Sequence, residues 1–259
     1  MIQREELKLG AQLYTAREYM KTKEQFAAAM MRISAIGYKY AQVSGAADAP
    51  WDVIKKASCD SGVEVVLTHV EPERLFSQLD AIIEEHKAFG AKAVGITQMP
   101  KQYPRSSEGF KRFCSDISPV AEKLGENGLV FTYHNHVFEF EKYDNLTGMD
   151  ILLSQTPQDS FKLTFDVFWA QTAGVDPASF ISKHAQRIFC THLRDMTVID
   201  GVPAECEVLE GNMNFSSIVD ASMKNGIEYH FAEQDVVRIS AFDSLRRSYE
   251  NLTENLFCK

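Results

Sequence analysis

Short runs of β-branched and aromatic residues alternate along this chain with longer segments whose apolar positions recur at helical spacing. The runs fall at residues 9–14, 38–43, 64–68, 93–97, 129–133, 162–165, 188–192 and 228–233, and each predicts a strand. Helices are expected between them over 23–36, 49–61, 73–89, 107–126, 148–155, 177–184 and 215–224, with 241–256 closing the chain. Five of these helices are followed by a glycine just before the next strand, at Gly37, Gly62, Gly90, Gly128 and Gly226. A residue past a helix C-terminus often takes φ > 0, which glycine adopts without steric cost, so the glycines punctuate a strand–helix repeat.

Eight such units with right-handed crossovers close into an α/β fold of the (β/α)8 TIM-barrel type more naturally than into an open sheet. A doubly wound dinucleotide-binding sheet would place G-x-G-x-x-G after its first strand, where Leu13-Tyr14-Thr15-Ala16-Arg17 stands instead. The 259 residues fit one barrel of about 250 residues, and no compositional break marks a linker, so residues 1–259 are expected to form a single domain.

Charge and cysteine usage narrow the function classes. Asp and Glu number 36 against 27 Lys and Arg, a formal charge of −9 that repels phosphate backbones and anionic membranes. No basic face or run of about 20 apolar residues stands out, so neither nucleic acid nor membrane is an expected partner. The five cysteines are an odd number without a C-x-x-C pair, and they are expected to be reduced thiols. Residues 1–9 carry Arg4, Glu5, Glu6 and Lys8 where a signal peptide would be apolar, so a cytoplasmic location is expected. A homodimer is compatible with a barrel of this size.

Four ligand-type side chains, Glu139, Asp166, His192 and Glu233, each follow one of the last four strands, separated by 27, 26 and 41 residues. In a barrel those positions share the carboxyl-end face where active sites form. Three carboxylates gathered there would repel one another unless a cation neutralised them, and an oxygen-rich set with one imidazole suits Mn²⁺, Mg²⁺, Co²⁺, Fe²⁺ or Zn²⁺. The stretch Tyr133-His134-Asn135-His136 carries two imidazoles on one side of a strand; they are candidates for substrate hydroxyls, proton transfer, or ligation in place of Glu139. His69 can reach the same cavity from the third strand, Trp169 can wall it, and Arg194 can bind a substrate anion or stabilise an enediolate oxygen. His86 and His184 are expected on helix surfaces, and His230 on the strand face opposite Glu233. No glycine-rich phosphate loop precedes or follows the last two strands, which favours an unphosphorylated substrate.

At these residues the chain resembles the sugar phosphate isomerase/epimerase superfamily, the xylose isomerase-like TIM barrels. The likeness is carried by Leu9-Gly10-Ala11-Gln12, Tyr133-His134-Asn135-His136 through Glu139-Phe140, Phe165-Asp166-Val167, Thr191-His192-Leu193-Arg194-Asp195, Glu210-Gly211-Asn212 and Ala232-Glu233-Gln234-Asp235. It implies that the metal quartet falls on Glu139, Asp166, His192 and Glu233, and that a small-molecule keto sugar or polyol loses a proton α to a carbonyl through an enediolate. Glu139, Glu233 or His136 would act as general base. Return of the proton gives isomerisation or epimerisation, and loss of a β-substituent gives dehydration or elimination. A non-catalytic sugar-binding barrel is the alternative outside enzymology. Relatives often carry glutamate where this chain has Gln42, and the extra ligands and basic groove of the endonuclease IV branch are missing.

Overall fold

The computed structural model describes residues 8–46 and 49–257. Eight parallel strands, β1 (Lys8–Gln12), β2 (Tyr40–Val43), β3 (Glu64–His69), β4 (Ala93–Ile96), β5 (Val130–His134), β6 (Phe161–Asp166), β7 (Ile188–Leu193) and β8 (Tyr229–Ala232), close into a barrel. Each strand pairs with its chain neighbours, and β8 returns to β1 with Ala11 opposite Ala232. The chain is therefore a single (β/α)8 TIM barrel.

Helices cover the barrel as the apolar periodicity requires. α1 (Lys23–Ile36), α2 (Trp51–Ser61), α3 (Pro72–Ser77), α4 (Leu79–Phe89), α5 (Ser107–Glu126), α6 (Gly148–Gln155), α7 (Val167–Thr172), α8 (Pro177–His184), α9 (Phe215–Lys224) and α10 (Ala241–Leu252) alternate with the strands. Their inward faces, such as Phe26, Met30 and Ile33 of α1 and Phe110, Phe113 and Ile117 of α5, join one large core with the outward strand residues Phe131 and Phe165. A second, smaller cluster that includes Cys190, Phe231 and Tyr229 fills the barrel interior. Cys190 stands two residues before His192 on the same strand face, so this plug forms the floor of the site. Gly10 belongs to that floor: a Cβ there would lie 2.6 Å from the Phe231 ring.

All five punctuating glycines have positive φ, from +69° at Gly62 to +124° at Gly37. The segment expected as one helix over 73–89 divides at Gln78, whose φ of −134° and ψ of 35° break the helical path. The helix expected over 241–256 ends at Leu252 and continues as a wider turn over Thr253–Phe257. Four short features lack a readable period and were not expected: a 3-10 segment Leu13–Tyr19, α7, a hairpin of Lys142–Tyr143 with Leu146–Thr147, and a hairpin of Asp195–Ile199 with Val202–Cys206. The last of these turns on Asp200-Gly201 with φ of 51° and 80°, the positive pair that a two-residue hairpin turn demands.

His86 corrects the expectation of a surface residue. It is buried, its Nδ1 donating to the Ile82 carbonyl at 2.7 Å while its Nε2 pairs with Thr68 Oγ1 at 2.8 Å. His184 is half-buried against the Phe180 ring. Cys59, Cys114, Cys190 and Cys206 are free thiols, and Cys258 lies outside the described residues. Among the described residues no helix is long and apolar enough to cross a membrane.

Candidate metal centre

Four adjacent strands each deliver one ligand-type side chain to the barrel mouth. His134 and Asp166 end β5 and β6, His192 stands at the penultimate position of β7, and Glu233 follows β8. Register aligns Asp166 with His192, and the Glu233 N–H donates to the Leu193 carbonyl at 3.2 Å, so the four side chains sit at one level. Their ligand atoms all lie within 4.8 Å of one another, and all four residues are buried.

Each of the four is anchored on its outer side, and on the inner side Asp166 Oδ2 also meets Arg194 Nε at 2.9 Å and His134 Nε2 at 3.3 Å. His134 Nδ1 is 3.1 Å from the Thr97 carbonyl, which can only accept, so Nδ1 carries a proton and Nε2 faces inward, 3.3 Å from Asp166 Oδ2. His192 Nε2 is 2.6 Å from Gln42 Oε1, which likewise leaves Nδ1 as the inward lone pair. Asp166 Oδ1 accepts from the Trp169 N–H at 3.0 Å, and Glu233 Oε1 accepts from Gln12 Nε2 at 2.6 Å. The inward His192 Nδ1 and Glu233 Oε2 are 2.7 Å apart, yet each is buried without a hydrogen-bond partner. Two orphaned lone-pair atoms side by side are costly in a protein interior, and a shared cation satisfies both. Two imidazoles and two carboxylates with ordered outer partners therefore fit a divalent ion, and the donor set suits Zn²⁺, Co²⁺, Fe²⁺ or Mn²⁺ better than Mg²⁺.

The structure gives to His134 the place that the sequence reading assigned to Glu139. Glu139 follows β5 by one turn, and its oxygens are taken by Tyr133 Oη, donating at 2.6 Å, and by the His136 N–H at 2.8 Å. It has no exposed surface. Burial pushes its carboxyl up to about 7 despite those two donors. Glu139 thus holds the turn that presents His136, and its expected role as a ligand is corrected.

Arg194 is corrected as well. A substrate-binding guanidinium must be reachable, but Arg194 is wholly enclosed, with its Nε 2.9 Å from Asp166 Oδ2 and its Nη1 2.6 Å from Asp235 Oδ2 and 3.5 Å from Glu205. It is the internal counter-charge of the acidic cluster. Burial alone would raise the Asp166 and Glu233 carboxyls, but the enclosed Arg194 guanidinium beside them helps to hold both below the usual range. Both acids are anionic at neutral pH, as ligands must be.

Two imidazoles remain partly open on either side of the quartet. His69 ends β3 and meets Gln42 Nε2 at 2.8 Å and Ser44 Oγ at 3.2 Å. His136 packs edge-on against His134 and lies 5.5 Å from the Trp169 ring, and its buried Nδ1 has no partner. Burial depresses both below the usual histidine range, His136 to about 3, so both are neutral bases. The Trp169 ring packs beside His136 on this side, and His230 pairs with Thr191 on the face away from His192.

Gln12, Gln42 and Asp195 support the candidate site through hydrogen bonds that sequence reasoning missed. The amides carry no charge and no motif, and their role is visible only where they meet Glu233 and His192. Asp195 accepts from the N–H groups of Met196, Leu209, Gly211 and Met213, tying the loop after the 195–206 hairpin to the end of β7. Four acceptor contacts on one buried acid leave no trace in the spacing of the sequence.

No protein-family model matches the chain. The rhizopine catabolism protein MocC of Rhizobium meliloti is 25% identical over 182 residues, 61% of this chain and 54% of that protein, so the chain spans about half the length of this curated relative. Among solved structures, a sugar phosphate isomerase/epimerase from Parabacteroides distasonis superposes with a TM-score of 0.81 at 22% identity over 97% of this chain and 99% of that one. The probable 3-DHS dehydratase AsbF from Bacillus anthracis gives 0.75 at 12% identity over 96% and 100%, and an L-ribulose 3-epimerase gives 0.72 at 13% over 96% and 94%. The structural neighbours are sugar phosphate isomerase/epimerase and xylose isomerase-like TIM barrels, and the barrel is the feature they share with this chain.

Proposed function

We propose that the chain is an enzyme that moves a proton on a carbon next to a carbonyl in a sugar or polyol derivative, with a divalent cation held by His134, Asp166, His192 and Glu233. The observation that carries this reading is the pair of orphaned inward atoms, His192 Nδ1 and Glu233 Oε2, inside a ring of outwardly anchored donors. A bound cation would supply Lewis-acid polarisation of the carbonyl and its neighbouring hydroxyl.

The chain's own groups do the rest. Arg194 balances the carboxylates without touching substrate, and Gln12 and Gln42 keep Glu233 and His192 in one orientation. His69 and His136 are neutral, partly open and flank the quartet, so each is placed to take a proton from, or return one to, the reacting carbon. Removal by one and return by the other inverts that carbon, which is epimerisation. Return to the adjacent carbon is isomerisation. Trp169 closes the apolar side of the ring. Elimination of a β-substituent from the same carbanion is the second reading, favoured by the likeness to a probable dehydratase.

The test is incorporation of solvent deuterium into a panel of free ketoses and their glycosides, run with the chain in chelator and after addition of Mn²⁺, Co²⁺ or Zn²⁺. Metal-dependent exchange at one carbon is expected and should fall by more than 100-fold in His136→Ala or His69→Ala. Absence of exchange across the panel would sink proton abstraction.

A further inference from the structure

Among the described residues two arginines are buried, Arg187 and Arg194, and they differ in what balances them. Arg194 is enclosed among the carboxylates of Asp166, Asp235 and Glu205. Arg187, 8% exposed, forms no ion pair among the described residues. Its guanidinium donates only to neutral acceptors, the Leu153 carbonyl near the end of α6, Thr156 Oγ1 at 2.7 Å and the Phe161 carbonyl at 3.3 Å, and its Nε has no partner. Neutral acceptors hold a cation without cancelling its charge, and the partial charge at the end of α6 offsets only about half of it. A buried charge is ordinarily paired, so a counter-charge is missing here.

Arg187 lines a groove of 810 Å³ between α6 and α8, together with Lys183, Ser154, Ser182 and Asn225. Asp150 is the acid of this lining, and its Oδ2 is already taken by the Thr147 N–H at 2.9 Å and Thr147 Oγ1 at 2.7 Å. Burial and the neighbouring Lys183 hold the His184 imidazole below its usual range. Arg187 and Lys183 against Asp150 therefore leave one positive charge in excess, in a chain whose net charge is −9. Arg187 directly precedes β7, so the groove opens at the amino ends of the strands whose carboxyl ends carry the quartet. Five residues of β7 at about 3.3 Å each put roughly 16 Å between Arg187 and His192.

We infer that this groove is a binding site for a phosphate group, free or carried on a small molecule, and that it is separate from the metal centre. A phosphate monoester carries about −1.5 to −2 at neutral pH, the charge that Arg187 and Lys183 together match. The guanidinium fork and the serine hydroxyls suit its several oxygens. The groove lies within the roughly 300–1,000 Å³ typical of ligand pockets, which leaves room for the rest of an ester. Because Arg187 joins α6 to the start of β6, an anion on it braces the barrel from the end opposite the reaction.

Calorimetric titration of the full chain in chelator and low salt, against inorganic phosphate, glucose 6-phosphate and glucose, tests this. Both phosphates should bind and glucose should not, and Lys183→Gln should weaken both phosphates five-fold or more while leaving Mn²⁺ affinity unchanged. Lys183 is a surface residue, so that variant spares the core; Arg187→Met, with its fold checked by circular dichroism, should abolish binding. Tighter binding of glucose 6-phosphate than of inorganic phosphate assigns the groove to an ester, and equal affinity assigns it to the free ion. Absence of phosphate binding, or phosphate affinity unchanged in Lys183→Gln, would overturn the site.

Discussion

Gln42 fixes the tautomer of His192 by accepting from Nε2 at 2.6 Å, and it does so with an amide, which leaves no formal charge behind the imidazole. Outer partners of this kind are worth 10–100-fold in metal affinity. Gln42→Leu should therefore weaken Mn²⁺ or Co²⁺ binding by about that factor in calorimetry, and Gln42→Glu should retain it; equal affinity in Gln42→Leu would remove His192 from the ligand set. Glu139 gives a second expectation, for the chelated protein. Its carboxyl ordinarily titrates near 4.5 and is pushed to about 7 by burial. Between those pH values the unfolded chain releases this proton while the folded chain keeps it, so Glu139 lowers stability as pH rises through the window and by a constant amount above it. Glu139→Gln should remove that slope, on the order of 3 kcal/mol, in urea titrations at pH 4.5 and 8. Parallel pH profiles of the two proteins would contradict it. His192, Asp166 and Glu233 were legible residue by residue because each closes a strand; His134 was seen, but its rank above Glu139 was not, since the sequence gives no hint that Tyr133 and the His136 N–H occupy Glu139.

Along α1 the boundaries are written in side chains: Thr22 and Gln25 form a reciprocal cap at the start, and Gly37 ends the helix at a φ of +124°. Gly37 is constrained twice, because a Cβ would also lie 2.6 Å from the Tyr249 ring. Gly62 has a φ of +69° with open space around it. Gly37→Ala should cost about 2–5 kcal/mol and Gly62→Ala only ~1 kcal/mol, read from urea midpoints. Equal losses would show that Tyr249 yields to the extra methyl group. The eight strands and the long helices were legible because apolar period and glycine stops agree. The break at Gln78 was not, since 73–89 carries helix formers throughout and tertiary packing decides where the axis bends. Of the hairpin over 195–206, only the Asp200-Gly201 turn was written in the sequence.

For the molecule as a whole, metal and folding are linked. The quartet joins β5, β6, β7 and β8, so a cation there ties half the barrel and binds only the folded state. Mn²⁺, Co²⁺ or Zn²⁺ at 100 times its Kd should add about 2.7 kcal/mol, a rise of roughly 5–10 °C in Tm. Asp166→Asn should abolish the rise. A melting temperature indifferent to all three ions would argue that Arg194 alone neutralises the site.

By itself the sequence determined the barrel, through a hydrophobic alternation that no other arrangement of eight strands and their crossovers satisfies as well, and it determined that acids and imidazoles collect at one mouth, since strand ends share a face. Which four converge was decided only in three dimensions. Hydrogen bonds between residues as far apart as Gln42 and His192 or Gln12 and Glu233 choose the orientation of each ligand, and a contact across 150 or 221 positions leaves no local pattern to read. The enclosure of Arg194 likewise arises from how loops from separate strands pack, not from the order of residues within any one of them.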